Sequence, residues 1–407
     1  MSRPPHIAVV TQNADLVSDL RPRAEAEALA RAGYRVTLVG PTNDPRRVRE
    51  LTLPEVAVEL FPLPTAARSA IGQMVEQCTV LARTSRALVR LCRRARIDAI
   101  HAANPPDDLW LLVRLVHVRQ RFRPRFVFDQ HDVAPVLLVE KYGGERLPMR
   151  GLHVIAEAFE RASFGRAALV VFANPSYEAR ATGRGLLRCP SAVVPNGWTL
   201  SAGERRGREA SARPVVAYVG TMNEQDCLPH LVEAVAASGA ADRIRAVMAG
   251  DGSARAQAES RADELGIAAS FDWLGWVSDR SAIASLVHSA DVCVAPETDS
   301  EFNRLASFVK IGEYMSAGAA IAAHPLAQNV DVAGPTIEYA DDMSAESLGA
   351  AIRRLLDDRE RASRLGAAAR ARFEANLRWE TAGAPRLVAA YRKLFSGGVQ
   401  APQDGLR

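Results

Sequence analysis

Lys310 and Glu313 lie three residues apart in the segment Ser307-Phe-Val-Lys-Ile-Gly-Glu-Tyr-Met-Ser-Ala-Gly318. On a helix that spacing sets both side chains on one face. Ser307 is the expected N-cap, and a polar loop carrying Glu297, Asp299, Glu301 and Asn303 leads into it. A helix N-terminus with one cation suits a phosphate, and a carboxylate one turn later can accept both hydroxyls of a ribose. The alternative is a plain surface ion pair. Lys141, Lys310 and Lys393 are the only lysines in a chain whose basic residues are otherwise arginine, so a lysine at 310 departs from the background and favours the chemical reading.

A second set of polar residues lies in the first half. His131 sits between Gln130 and Asp132 just past an apolar run, with Asp129 or Asp132 placed to fix its tautomer. His101 and Asn104 also follow an apolar run and are candidates to meet a second substrate, as are Asp19, Arg21 and Arg23 at the start of the first helix. Arg83, Arg86, Arg90, Arg93, Arg94 and Arg96 recur at helical spacing among Leu, Val and Ala. Such a stretch is either a solvated face or a contact for an anionic membrane. The pattern Gly250-x-Gly252-x-x-Arg255 has arginine where a dinucleotide fingerprint needs its third glycine, so no nicotinamide site is expected. Walker A, G-x-S-x-G, H-E-x-x-H and D-x-D patterns are missing from the sequence; no metal, no cofactor and no nucleic-acid partner are expected.

The elements that must position these residues alternate. Short β-branched runs at His6–Thr11, Arg35–Gly40, Val56–Phe61, Asp98–Ala102, Phe126–Asp129, Ala168–Ala173 and Ala192–Pro195 are separated by helical stretches, the first being Arg21–Ala32 with Gly33 as its stop. The rhythm restarts at Val215–Gly220, Arg245–Ala249, Phe271–Gly275, Asp291–Pro296 and Ala319–Ala323, and helices at Ser344–Asp357, Arg359–Phe373 and Glu380–Phe395 close the chain. This is α/β patterning with two Rossmann-like domains, 1–205 and 206–383, joined by a polar linker at Thr199–Arg213. Residues 384–407 are expected to form a helix crossing back to the first domain, then a flexible tail. Two such sheets in tandem would face one cleft with their ligand-binding edges. The first half carries a net charge of +9 and the second −5, a division of labour. No apolar run approaches the ~20 residues of a membrane span, no leader is evident, and five scattered cysteines suit a reducing cytoplasm.

The segment ending Lys310-x-x-Glu313-Tyr314-Met315-x-x-Gly318 resembles the donor-site helix of glycosyltransferase family 4, the retaining GT-B enzymes. Tyr218-Val-Gly220-Thr221-Met222, Val247-Met-Ala-Gly250-Asp-Gly252, Phe271-Asp-Trp-Leu-Gly275-Trp276-Val277 and Ala290–Pro296 resemble that family's C-terminal strand ends. Phe128-Asp129-Gln-His131-Asp132 and Val194-Pro195-Asn196-Gly197 resemble pieces of its first domain, so the likeness covers nearly the whole chain. The resemblance implies a GT-B fold and metal-independent, retaining transfer from a UDP- or GDP-sugar to a glycan, lipid-linked or small-molecule acceptor, at the inner face of the membrane or in the cytoplasm. It places Gly220, Thr221, Met222, Gly275, Trp276, Val277, Asn303, Ser307, Lys310 and Glu313 around the donor. His131, Lys310 and Glu313 take the catalytic roles, His131 at the transferred sugar or leaving-group oxygens. Asp19, Arg21, Arg23, His101, Asn104, Asp129 and Asp132 fall on the acceptor side. Two positions depart from the family pattern. Leu305 stands where a first glutamate is usual, and Thr221 and Asp226 stand where an arginine and a lysine usually meet the diphosphate. Arg304, Arg21 or Arg23 are candidate substitutes. A sugar-nucleotide 2-epimerase of the same fold, or a non-catalytic nucleotide-sugar-binding protein, are the alternatives.

Overall fold

A computed structural model describes residues 3–12, 15–17, 19–44, 46, 53, 55–63, 70–142, 147–200 and 213–396. Most of the expected linker and the whole tail after Ser396 lie outside the described residues. The chain divides into two compact units. Unit 1 comprises Met1–Leu138, Gly144–Val194 and Ala384–Arg407; unit 2 comprises Val139–Gly143 and Pro195–Gly383.

Unit 1 contains strands β1 (His6–Val10), β2 (Arg35–Thr42), β3 (Val56–Pro62), β4 (Ala99–Ala103), β5 (Arg125–Gln130), β6 (Leu169–Phe172) and β7 (Ser191–Val193). Its helices are α1 (Leu20–Arg31), α2 (Ala70–Arg94), α3 (Trp110–Gln120), α4 (Ala134–Tyr142, which runs on into unit 2), α5 (Leu147–Arg166) and α6 (Pro175–Gly183). The strands pair in the order β3-β2-β1-β4-β5-β6-β7, every pair parallel. Strands β1 and β4 are buried along their whole length, the mark of a sheet covered on both faces. Helix α1 takes Asp19 as its N-cap, and Gly33 follows its end at φ +90°, a backbone conformation that costs glycine little.

Unit 2 repeats the plan. Its strands are β8 (Val215–Val219), β9 (Arg245–Ala249), β10 (Phe271–Gly275), β11 (Val292–Ala295), β12 (Ile321–Ala323) and β13 (Glu338–Tyr339), paired in the order β10-β9-β8-β11-β12-β13. Its helices are α7 (Leu228–Ala237), α8 (Arg255–Glu264), α9 (Arg280–Ser289), α10 (Glu301–Leu305), α11 (Val309–Ser316), α12 (Ala327–Ala333), α13 (Ala345–Asp357) and α14 (Arg359–Asn376). Alternate residues of the sheet feed two cores. Val216, Tyr218, Val292 and Val294 join one, while Ala217, Val219, Cys293 and Ala295 join the other. After a π-helical turn at Trp379–Gly383, the last helix, α15 (Ala384–Ser396), packs on α1 within unit 1.

Strand order reverses between β1 and β4 in unit 1 and between β8 and β11 in unit 2. At such a reversal the loops leaving the strands diverge, opening a crevice at the carboxyl edge where α/β sheets hold ligands. The two clusters described below occupy those edges.

Candidate functional site

In unit 2 the loops after β8 and β11 converge on Lys310 in the first turn of α11. Its Nζ donates to Tyr218 Oη at 2.9 Å and Asp226 Oδ1 at 3.0 Å, and also bonds Glu297 Oε1. The Tyr218 ring lies 4.5 Å beneath the ammonium. Burial works to deprotonate Lys310, but Glu297, Tyr218 and Asp226 outweigh it and hold the amine well above the usual lysine range. Burial pushes Glu297 upward against the pull of Lys310. Asp226 is fixed from its other oxygen, which accepts from Thr221 Oγ1 at 2.8 Å and Asn223 N at 3.1 Å. The aspartate in the usual lysine position therefore grips the cation of α11 instead of supplying one.

The backbone here is closely fitted. A Cβ on Gly250 would fall 1.8 Å from the Gly220 carbonyl oxygen, and one on Gly220 would lie 3.1 Å from Lys310 Cε. The lysine stem thus lies against the Gly220 backbone. Glu313, one turn along α11, accepts from Arg280 Nη2 at 2.9 Å through Oε1. Burial raises the Glu313 carboxyl while Arg280 opposes it. Asn303 is buried with its amide nitrogen on the carbonyls of Gln225 and Thr298, while its Oδ1 and the Glu297 Oε2 are buried without a hydrogen-bond partner. Trp276 is 65% exposed beyond β10, beside Gly275 and the half-buried Val277.

Two expectations for this unit need correction. Ser307 does not cap α11: the helix begins at Val309, so its N-cap residue is Phe308, which makes no side-chain bond, and the capping hydroxyl nearby, Ser300, serves the separate short helix α10. Met222 is fully buried in the apolar core, so only its backbone borders the loop. Arg304, the candidate substitute cation, is exposed and gives one guanidinium edge, Nε and Nη2, to the two oxygens of Asp299.

In unit 1 the cluster centres on Asp129 at the end of β5. Its Oδ1 accepts from Arg21 Nη2 at 3.0 Å; its Oδ2 accepts from His101 Nε2 at 3.2 Å and also bonds His131 Nε2. His101 Nε2 lies 3.0 Å from Glu25 Oε2, and its Nδ1 meets the Tyr391 hydroxyl of α15 at 2.8 Å. Arg21 also reaches Glu25 at 3.1 Å and the Val194 carbonyl at 2.7 Å. Although burial works the other way, Arg21 and the two imidazoles hold Asp129 well below the carboxylate range. Burial likewise opposes a charge on His101, yet Glu25 and Asp129 carry it to about 9, so it is an imidazolium at neutral pH. His131 moves up for the same reason, drawn by Asp129. Glu25, His101 and Asp129 offer ligand atoms within 4.8 Å of one another, but the two carboxylates already hold the Arg21 guanidinium and the charged His101 ring.

His131 alone of the two imidazoles reaches the surface, at 16% side-chain exposure. His101 and Asn104 are fully buried, which corrects their expected place facing an acceptor. Asn104 instead clamps the turn after β5, taking the His131 N–H at 2.6 Å and giving its amide to the Asp132 carbonyl and to Asp107. Asp19 accepts from Arg21 N as helix cap, Asp132 accepts from Tyr177, and Arg23 donates to the Val17 carbonyl. Burial raises both Asp19 and Asp132. Glu25, Arg280 and Tyr391 were not singled out from the sequence. Arg280 had a faint signal, since it follows Asp279, a helix-capping type at the start of α9; Tyr391 had none.

Among the described residues no helix is long and apolar enough to cross a membrane. Within Arg83–Arg96, Arg90 and Arg94 pair with Glu59, Arg83 donates to the Pro62 carbonyl and Arg96 pairs with Asp98. Arg86 and Arg93 are exposed.

Residues 204–372 match the family model described as glycosyl transferases group 1, and residues 21–197 the model described as glycosyl transferase 4-like domain. Over 190 residues the chain is 27% identical to the GDP-mannose-dependent alpha-(1-6)-phosphatidylinositol dimannoside mannosyltransferase of Mycobacterium tuberculosis, covering 42% of this chain and 47% of that protein. The match thus spans about half the length of that relative. A sucrose-phosphate synthase from Thermosynechococcus elongatus superposes with a TM-score of 0.74 at 21% identity, covering 97% of this chain and 100% of the other. The Anabaena protein HepE, crystallised with UDP and glucose, gives 0.65 at 14% identity, covering 97% and 100%.

Proposed function

The chain belongs to the GT-B glycosyltransferases of the group 1, family 4 type, which take their sugar from a nucleotide-sugar, and from that premise we propose that it transfers with retention from a UDP- or GDP-sugar. The observation that carries this reading is the placing of Lys310 and Glu313 on one short helix beside Gly220, at the edge where the strand order of unit 2 reverses.

The ribose hydroxyls meet the Glu313 oxygen that Arg280 leaves open. The base lies along Gly275, Trp276 and Val277, and the diphosphate takes the amides at Gly220 and Thr221 together with the uncapped N-terminus of α11. Lys310 is largely neutralised by Asp226 and Glu297, so backbone dipoles carry more of the leaving-group charge than a lysine–arginine pair would. The buried, unbonded oxygens of Asn303 and Glu297 are acceptors for donor hydroxyls. His131 supplies the imidazole at the transferred sugar, with Asp129 fixing its ring. The acceptor is a glycan, lipid-linked or small-molecule nucleophile. The exposed Arg86 and Arg93 favour acceptors presented at an anionic surface. No step of the proposed reaction uses a metal or cofactor.

Calorimetric titration of UDP, GDP, ADP and dTDP into the wild type and Glu313→Ala tests the donor half. One nucleotide is expected to bind tightly and to lose at least about tenfold in the variant, roughly 1.4 kcal/mol. Equal binding by both proteins would sink the assignment of Glu313.

A further inference from the structure

We infer that Tyr391 and His101 govern the protonation of His131 through the single Asp129 oxygen that both imidazoles share, which makes them positioning residues for glycosyl transfer; this rests on the reading of His131 as the imidazole at the transferred sugar.

A carboxylate only accepts hydrogen bonds, so the Nε2 atoms of His101 and His131, both directed at Asp129 Oδ2, each carry hydrogen. What remains open is the second nitrogen of each ring. His131 is partly exposed, and its second proton is exchangeable with whatever lies before it. His101 is sealed in the core with its Nδ1 against the Tyr391 hydroxyl, also fully buried. A hydroxyl oxygen accepts the hydrogen bond of an imidazolium N–H, a stronger bond than the one it gives to a neutral ring. Tyr391 therefore satisfies His101 in its charged form, which the adjoining Glu25 and Asp129 favour.

The charge count follows. Arg21 and a protonated His101 already balance Glu25 and Asp129, and a proton on His131 is a third positive charge against the same two carboxylates. The other groups nearby are Asp19 at the start of α1, Asp132 beyond β5 with Tyr177 of α6 upon it, and the capped backbone of Asn104 after β4. While His101 stays charged, it restrains the upward pull of Asp129 on His131 and leaves that ring able to donate or accept. Helix α15, at the far end of the sequence, thereby acts on His131 through three buried contacts.

The test is a pH titration of isotopically labelled histidine side chains by NMR, on the full chain without substrate, with His131→Gln to assign the signal. In His101→Gln the His131 titration is expected to move up by about one unit, the scale of losing one neighbouring charge. In Tyr391→Phe, His101 is expected to titrate below about 9 and His131 to rise by a smaller amount. Unmoved His131 titrations in both variants would overturn the inference. Should His101→Gln fail to fold, Tyr391→Phe, which loses one oxygen and keeps the ring, decides alone. Donor hydrolysis and transfer by His131→Ala are measured separately. Full activity there alongside shifted titrations would overturn the role of His131 in the reaction while leaving its coupling to Tyr391 intact.

Discussion

In unit 1 the buried cluster at the sheet edge sets Arg21 and two imidazoles against Glu25 and Asp129; in unit 2 one lysine faces Asp226 and Glu297. The first cluster has cations to spare and the second has anions. They also differ in what can be neutralised. A guanidinium keeps its proton at any working pH, whereas Glu297 is already raised by burial and needs little to take one up. Unit 1 is therefore built on a charge that cannot be switched off, and unit 2 on charges that can. A desolvated Arg demands its partner; desolvated carboxylates that lose their lysine have an escape.

That contrast orders the expected effects. Asp129→Asn removes the anion shared by Arg21, His101 and His131, and is expected to destabilise unit 1 by about 3–5 kcal/mol, read as loss of hydrogen-exchange protection in peptides from β4 and β5. Lys310→Met is expected to cost unit 2 less, about 2–3 kcal/mol at pH 8, and less again at pH 5 as Glu297, raised by burial, takes up a proton. If the Lys310→Met cost fails to shrink on acidification, or exceeds that of Asp129→Asn, the contrast is broken.

The smallest effect is a divergence with pH. His101 is raised from 6.5 to about 9, so its contribution is complete below pH 6.5 and is lost as pH rises through 9. In unit 2, His324 after β12 donates from Nδ1 to the Asp342 carbonyl and meets His230 Nε2 at 2.9 Å. Burial lowers it from 6.5 to about 4, so its contribution is complete above pH 6.5 and is lost as pH falls toward 4. Protection in β4–β5, corrected for intrinsic exchange, should decline by on the order of 1–2 kcal/mol on the alkaline side. Protection in β11–β12 should decline on the acid side. His101→Gln and His324→Gln should each flatten only their own slope.

Much of the fold was legible because a parallel sheet buried on both faces must be written in apolar runs, and those runs located β1 to β12 within a residue or two. Strand β13 escaped because Glu338–Tyr339 is too short to show any period. The site was legible where one residue broke the compositional background: Lys310 stood out by type, and its place on α11 next to Gly220 followed from the strand that precedes it. Its partners did not stand out. Asp226 is 84 residues away and was read only as a missing cation, though its carboxylate is what holds the lysine. Ser307 and Ser300 carry the same capping chemistry, but Ser300 caps α10 while α11 begins at Val309 with Phe308 at its N-cap, one residue past Ser307. His101 and Asn104 were placed at the right edge of the sheet and given the wrong direction, because a strand's alternation sets the face of a side chain and not what stands over it. The hydroxyl that meets His101 comes from 290 residues downstream, beyond the reach of any local pattern.

The attachment of α15 to unit 1 also bears on the order in which the molecule can be made. A chain leaving the ribosome exposes all of β1 to β7 before any strand of unit 2, yet the helix that closes over α1 and brings Tyr391 to His101 is the last described element to emerge. The strands of unit 2 lie between β7 and α15 in synthesis time, so their sheet can be complete while the first unit still lacks its cover. A fragment ending at Val194 would carry every strand of unit 1 and still leave the His101 imidazole without its hydroxyl.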